Sequence, residues 1–180
     1  DDIVIGNVSS GRTHPVDGIE EALGLFIETL PVHYSLSSDA CFADWLAAHQ
    51  VAQSGHGKNG HIGLGAIQGL VGFSGQALFD AVFVYENYPV DIDDDVTMGG
   101  LSFTGVDGHD DTHYPIGLVV APSPEGMSLQ FSYQLGYLDD AVAGVLVEQL
   151  TALLGRLGGV GGVPLGGIST IIPEQEAAAL

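Results

Sequence analysis

The chain has 180 residues, 46% apolar and 14% charged, a balance that excludes a disordered chain and suffices for one domain with its own core. Its 23 acidic residues face only Arg12, Lys58 and Arg156, for a formal net charge of −20. Nucleic acid needs cationic groups to displace its counterions, so it is excluded as a partner, and anionic membrane surfaces are disfavoured for the same reason.

In chain order, residues 3–9 read as a strand that opens with no preceding turn or cap, as if the chain began mid-fold, and residues 10–15 as a loop leaving it. Asp17 predicts a cap for a short helix from Gly18 to about Leu25, with Glu20 and Glu21 in its first turn. Residues 30–36 alternate like a strand. Ser38 or Asp39 is then placed to cap a helix carrying Phe42, Trp45, Leu46 and His49 at helical spacing. A glycine-rich break over 54–60 precedes a shorter helix over 64–71.

The run from Ala81 to Tyr85 is continuously apolar, β-branched or aromatic and too short for a typical helix, the pattern of a strand covered on both faces in mid-sheet. Pro89 cannot donate to a ladder and ends it. Residues 91–95 read as a solvated acidic loop, and Leu101, Phe103 and Gly105 begin a further strand. Ile116, Leu118 and Val120 alternate, residues 122–126 turn, and Met127, Leu129, Phe131 and Tyr133 alternate back, predicting a hairpin with one buried face. Asp139 opens the strongest helix, with Val142, Val145, Leu146, Leu150, Leu153, Leu154 and Leu157 as its apolar stripe and Gly158-Gly159 as its stop.

No apolar run reaches the ~18–20 residues of a membrane span. The first residues carry no basic region or cleavage pattern, and the single Cys41 excludes an internal disulfide, so a cytoplasmic setting is expected. Cys41 reads as a small core residue rather than a nucleophile.

Several chemical motifs are approached and missed. Gly57-Lys58 lacks the spacing of a phosphate loop, and Gly63, Gly65 and Gly69 that of a dinucleotide fold. The segment over 72–76 misses the nucleophile elbow by its last glycine, and Asp91, Asp93 and Asp95 lack the turn glycine and closing glutamate of a calcium loop. His109, Asp110, Asp111 and His113 supply ligand types that suit zinc. They converge only on a helix, and Tyr114-Pro115 argues for extended chain, so no metal site is expected there. His56 and His61 read as solvated loop imidazoles.

Four ordered segments carry a resemblance. Val8-Ser9-Ser10-Gly11-Arg12 resembles a V-S-G-R-P loop. Residues 24–33, G-L-F-I-E-T-L-P-V-H, are similar to a G-L-F-I-N-T-L-P-V-R motif. Residues 78–89 resemble L-F-D-T-L-V-F-E-N-Y-P, and residues 112–116 a T-N-Y-P-L segment. Together they resemble the C-terminal lobe of a condensation domain of nonribosomal peptide synthetases. Glu28 stands where the motif has Asn, and His33 where it has Arg.

The resemblance implies an α/β fold, a mixed sheet with packed helices, forming part of one lobe of a two-lobed, chloramphenicol-acetyltransferase-like architecture. Residues 1–167 would be the partial lobe and 168–180 the start of a linker toward a following domain. The family's catalytic His-His-x-x-x-Asp-Gly motif has no match here, so the chain would supply tunnel wall and lobe contacts to an amide-forming acyltransferase and no catalytic residue. By resemblance, the tunnel residues would be Ser10, Arg12, Gly24, Phe26, Glu28, Thr29, Tyr85 and Asn87, with Phe26, Thr29, Tyr85 and Asn87 near one open face. Substrates would arrive on phosphopantetheine arms of carrier domains, with no cofactor bound directly. The implied partners are the N-terminal lobe, carrier domains and an adenylation domain. The alternative is a non-catalytic binding or scaffold module derived from such a lobe. A stand-alone metal enzyme built on residues 109–113 ranks below both.

Overall fold

The computed structural model describes residues 1–12, 16–56, 60–86, 95–98, 101–104, 113–123 and 126–169. Their main feature is a five-stranded mixed sheet. Its strands are β1 (Asp2–Ser9), β2 (Glu28–Ser35), β3 (Ala81–Tyr85), β6 (Ile116–Ser123) and β7 (Gly126–Tyr133), in the spatial order β2-β1-β3-β6-β7. The predicted central strand is the middle of the sheet. β3 lies parallel to β1 and β6, while β2 and β7 pair antiparallel at the edges. Two short strands, β4 (Asp95–Met98) and β5 (Leu101–Thr104), pair with each other. Asp95 thus opens a strand rather than closing the acidic loop.

Register divides the side chains between two faces, because paired residues project to the same side. One row runs Leu30–Asn7–Phe83–Leu118–Phe131, and the next runs Pro31–Gly6–Val82–Gly117–Ser132 on the opposite face. The first face, which also holds Val32 and Val120, receives α1 (Phe42–His56), and Tyr133 on the same face bonds Asp140 at the start of α3 (Asp140–Leu157). Tyr34 stacks on His49 of α1 at 4.4 Å between ring centres, and Trp45 Nε1 donates to the Ser35 carbonyl at 2.9 Å. On the other face the ring of Phe79 occupies the space above Gly6, next to buried Val82. The short helix α2 (Leu64–Leu70) lies beside β2.

Three local expectations are corrected. Residues 18–25 form turns and no helix, with Ile19, Glu21 and Ala22 donating to carbonyls three residues back. Their carbonyls are drawn to Arg12 instead, as described below. Neither Ser38 nor Asp39 caps α1, which begins later, at Phe42. Its first free amides, of Phe42 and Ala43, donate to the Val163 and Gly161 carbonyls at 3.0 Å, and Cys41 Sγ lies 3.1 Å from Gly161 O. A distant backbone segment thus replaces the side-chain cap. On α3 the first half of the predicted stripe is exposed, with Val142, Val145 and Leu146 at 38–46%, and Ala143 faces the core instead.

The α3 start is as predicted: Asp139 Oδ1 accepts from the Val142 amide at 2.8 Å, and Gly158 closes the helix. The predicted hairpin is β6–β7, although its buried face opens toward the turn, where Met127 and Leu129 are exposed. Among the described residues, no helix is long and apolar enough to cross a membrane.

The Tyr133 hydroxyl donates to Asp140 Oδ1 at 2.9 Å, which together with nearby carboxylates raises its ionisation above the ordinary tyrosine range. The Asp80 carboxylate does the same for Tyr137, and burial does so for Tyr34. A raised folded-state pKa stabilises the fold below the ordinary tyrosine value and loses that contribution as pH rises through the folded value. Alkaline ultraviolet titration should therefore show late-ionising tyrosines, with one fewer of them in Tyr133→Phe. Simultaneous ionisation of all six tyrosines near their ordinary value would contradict this.

Candidate functional site

The carboxyl ends of β1, β3 and β6 lie at one edge of the sheet, together with the start of β2. In open sheets of parallel strands this edge is where ligands collect. Ser9 pairs with Glu28 there, and Tyr85, which is 51% exposed, ends β3 at the same edge.

The loop joining β1 to β2 is built around Arg12. Its Nη1 donates to the Ile19 carbonyl at 2.6 Å, to Ala22 at 3.0 Å and to Glu20 at 3.4 Å. Nη2 reaches Gly24 O at 3.4 Å, and the guanidinium carbon lies 4.7 Å over the Phe26 ring. A planar fork can hold several carbonyls and stack on an aromatic face at once; an ammonium cannot. Buried Gly11 is what lets the two ends of the loop meet. Its φ is +65°, and a side chain there would run into the backbone carbonyl of Phe26. Ser10 is exposed and its Oγ accepts from the Arg12 amide at 3.4 Å.

Beside this loop a cavity of about 350 Å³ is lined by Glu28, Thr29, Leu30, Gly60, His61 and Tyr114 among others. Gly60 is buried, and a Cβ there would overlap the Glu28 carboxylate, so the glycine makes room for it. Tyr114 is held from behind by the Phe79 ring at 5.2 Å and by His113 at 4.1 Å. Thr29 and Glu28 contribute a hydroxyl and a carboxylate to the lining of a partly apolar hollow, groups that can hydrogen-bond a peptide-like chain.

Of the residues singled out from the sequence, Glu28 and Thr29 line the cavity, while Ser10, Arg12, Gly24 and Phe26 belong to the loop. Tyr85 shares the edge but not the face. Its register partner Val120 belongs to the side of Leu118 and Phe83, whereas Thr29 pairs with Val8 on the other side. Asn87 lies outside the described residues, as do His109, Asp110 and Asp111. Among the described residues, no three His, Cys, Asp or Glu groups converge as a metal site would require. Gly60 carries no signal in the sequence, and His61, expected as a solvated loop imidazole, is exposed in a turn and also lines the cavity. A glycine-rich break carries no periodicity that could reveal a cavity wall.

The family model for the condensation domain matches residues 1–179. Vanchrobactin synthetase VabF of Vibrio anguillarum is 35% identical over 139 residues, 74% of this chain and 5% of that protein. Bacitracin synthase 3 of Bacillus licheniformis is 32% identical over 151 residues, 81% of this chain and 2% of that protein. Among solved structures, the four-domain nonribosomal peptide synthetase holo-AB3403 superimposes with a TM-score of 0.81 at 14% identity, over 97% of this chain and 14% of that one. The first condensation domain of the CDA synthetase gives 0.69 at 16% identity, over 95% of this chain and 38% of that one. The chain therefore spans a small part of the curated relatives it matches, and its fold is the condensation-domain fold. By the match along nearly its whole length, this chain belongs to the condensation-domain family.

Proposed function

We propose that this chain works as part of the C-terminal lobe of a condensation domain in a nonribosomal peptide synthetase. In that reaction the amine of a carrier-bound aminoacyl acceptor attacks the thioester of a carrier-bound donor. A C–N bond forms, the carrier thiol leaves, and the amine gives up a proton to a base. This chain contributes the wall of the substrate path, through Glu28, Thr29 and the cavity beside them, with no base of its own. The observation that carries the reading is the convergence of two family-like segments, residues 8–12 and 24–33, on the ligand-collecting edge of the sheet. Partner carrier domains would present both substrates on phosphopantetheine arms, and an adenylation domain would follow.

A carrier-to-carrier condensation assay tests this. The 180-residue chain alone should stay at the carrier-only background, because general-base work needs a positioned imidazole that this chain does not match. The complete two-lobed domain should turn over. Activity of the isolated chain, or none from the complete domain, would overturn the reading; the second outcome would leave a non-catalytic scaffold. In the complete domain Glu28→Asn should shift acceptor preference toward anionic side chains, since the carboxylate repels them. Unchanged preference and rate would place Glu28 outside the substrate path.

A further inference from the structure

We infer that the cavity beside Glu28 receives the side chain of the aminoacyl acceptor and selects a cationic one, an ammonium or guanidinium at the end of an alkyl stem. The inference deepens the functional reading above and rests on it. Size sets the first limit. At about 350 Å³ the hollow lies at the lower end of the ~300–1,000 Å³ of small-molecule sites, room for one side chain and not for a peptidyl donor. The acceptor brings a single aminoacyl unit, and its one variable group is its side chain.

The chemistry of the lining sets the second limit. Among the described residues, the cavity wall holds the Glu28 carboxylate and no lysine or arginine. Glu28 Oε1 is buried, in space that only a glycine at position 60 leaves open. A carboxylate withdrawn from bulk water attracts a cation more strongly than one on the surface. Arg12 does not answer that charge, because its guanidinium is engaged by four loop carbonyls and the Phe26 ring. Arg156 lies on α3, where it donates to the Ser169 carbonyl. The net charge of −20 adds a field of the same sign. Around Glu28, the Thr29 hydroxyl and a neutral His61 imidazole can accept the remaining N–H groups of such a head. The Tyr114 ring, held by Phe79 and His113, offers it an aromatic surface. Leu30 and Ile62 line the same hollow and suit a methylene stem. The acceptor's α-amine is not this cation, since it must be uncharged to attack the thioester.

Competition between carrier-bound acceptors tests this in the complete domain, with one neutral donor. Lysyl and norleucyl acceptors share a four-carbon stem and differ by the terminal ammonium. The lysyl product should be favoured about tenfold or more, the size expected of a hydrogen bond to a charged group. In Glu28→Gln that ratio should fall to about one, and Glu28→Lys should favour a glutamyl acceptor over a lysyl one. Gly60→Ala, whose methyl displaces the carboxylate, should lower the ratio with Glu28 itself unchanged. Equal use of lysyl and norleucyl acceptors by the wild-type domain would overturn the inference. So would a preference that survives Glu28→Gln, or discrimination that follows the donor's side chain and not the acceptor's. Calorimetric titration of the wild-type domain with the lysyl and norleucyl amides of aminopantetheine reads the same discrimination without turnover and without a variant that must fold. Tighter binding of the lysyl amide by about tenfold, with no acceptor turned over, would overturn the functional reading alone. Turnover of both acceptors with equal affinity for both amides would overturn this inference alone.

Discussion

Gly11→Ala should lower the stability of the chain by about 3 kcal/mol, a fall of about 6–12 °C in thermal midpoint for a domain of this size. Two costs add at this position. The φ of +65° is a left-handed conformation that costs an L-residue about 1–2 kcal/mol. The added methyl would also run into the Phe26 carbonyl, and this neighbour is backbone rather than the yielding end of a long side chain. The remaining ~1–2 kcal/mol is the cost of moving that backbone, together with loss of the Arg12 geometry that depends on it. Gly18→Ala separates the two contributions. Gly18 has a φ of +78° and nothing within 4 Å of where a side chain would stand, so it should show the conformational cost alone, about 1 kcal/mol. Differential scanning calorimetry of the two variants decides the matter. Equal losses would mean that the contact with Phe26 has no weight and that the two loop ends are not locked together.

The same loop marks where sequence reasoning stopped working. Asp17, Glu20 and Glu21 carry a genuine helix-start signal, and by local propensity residues 18–25 should wind up. Arg12, outside that window, takes carbonyls that the helix would have needed, and Gly18 and Gly24 adopt positive φ to present them. The start of α1 failed for a related reason. Its cap comes from residues 161 and 163, and no window around Ser38 and Asp39 contains that information. Where local signals were not contested, they held. The apolar run Ala81–Tyr85 is a strand, although it stops at Tyr85, before the end expected at Pro89, and Asp139 caps α3 through its own side chain. The candidate site was half legible. Glu28 and Thr29 were visible through the motif that contains them, but the wall facing them, Gly60 and His61, comes from a segment with no pattern of its own.

Gly6→Val should be strongly destabilising, by about 3 kcal/mol or more. Gly6 sits inside β1, between Pro31 and Val82 in the ladder, and the Phe79 ring fills the space where its side chain would stand. That ring cannot swing aside: it is 6% exposed and packs on Tyr114, which lines the cavity beside Glu28 and Thr29. Adding three carbons to so full a position costs about 3 kcal/mol or more, a large fraction of the stability a domain possesses. Because the conflict is with one ring, a second substitution should relieve it. Phe79→Ala alone should cost about 3–5 kcal/mol as a core truncation. Combined with Gly6→Val, it should cost less than the sum of the two by at least about 1 kcal/mol, since the valine then fills part of the vacated space. Urea unfolding of the two single variants and the double variant, with Gly6→Ala and Phe79→Leu as a milder cycle should Gly6→Val fail to fold, measures this coupling. Strict additivity in both cycles would show that Gly6 is required for some reason other than the ring above it. The result bears on function as well as fold, because the ring that excludes a side chain at Gly6 is the one that holds Tyr114 against the cavity.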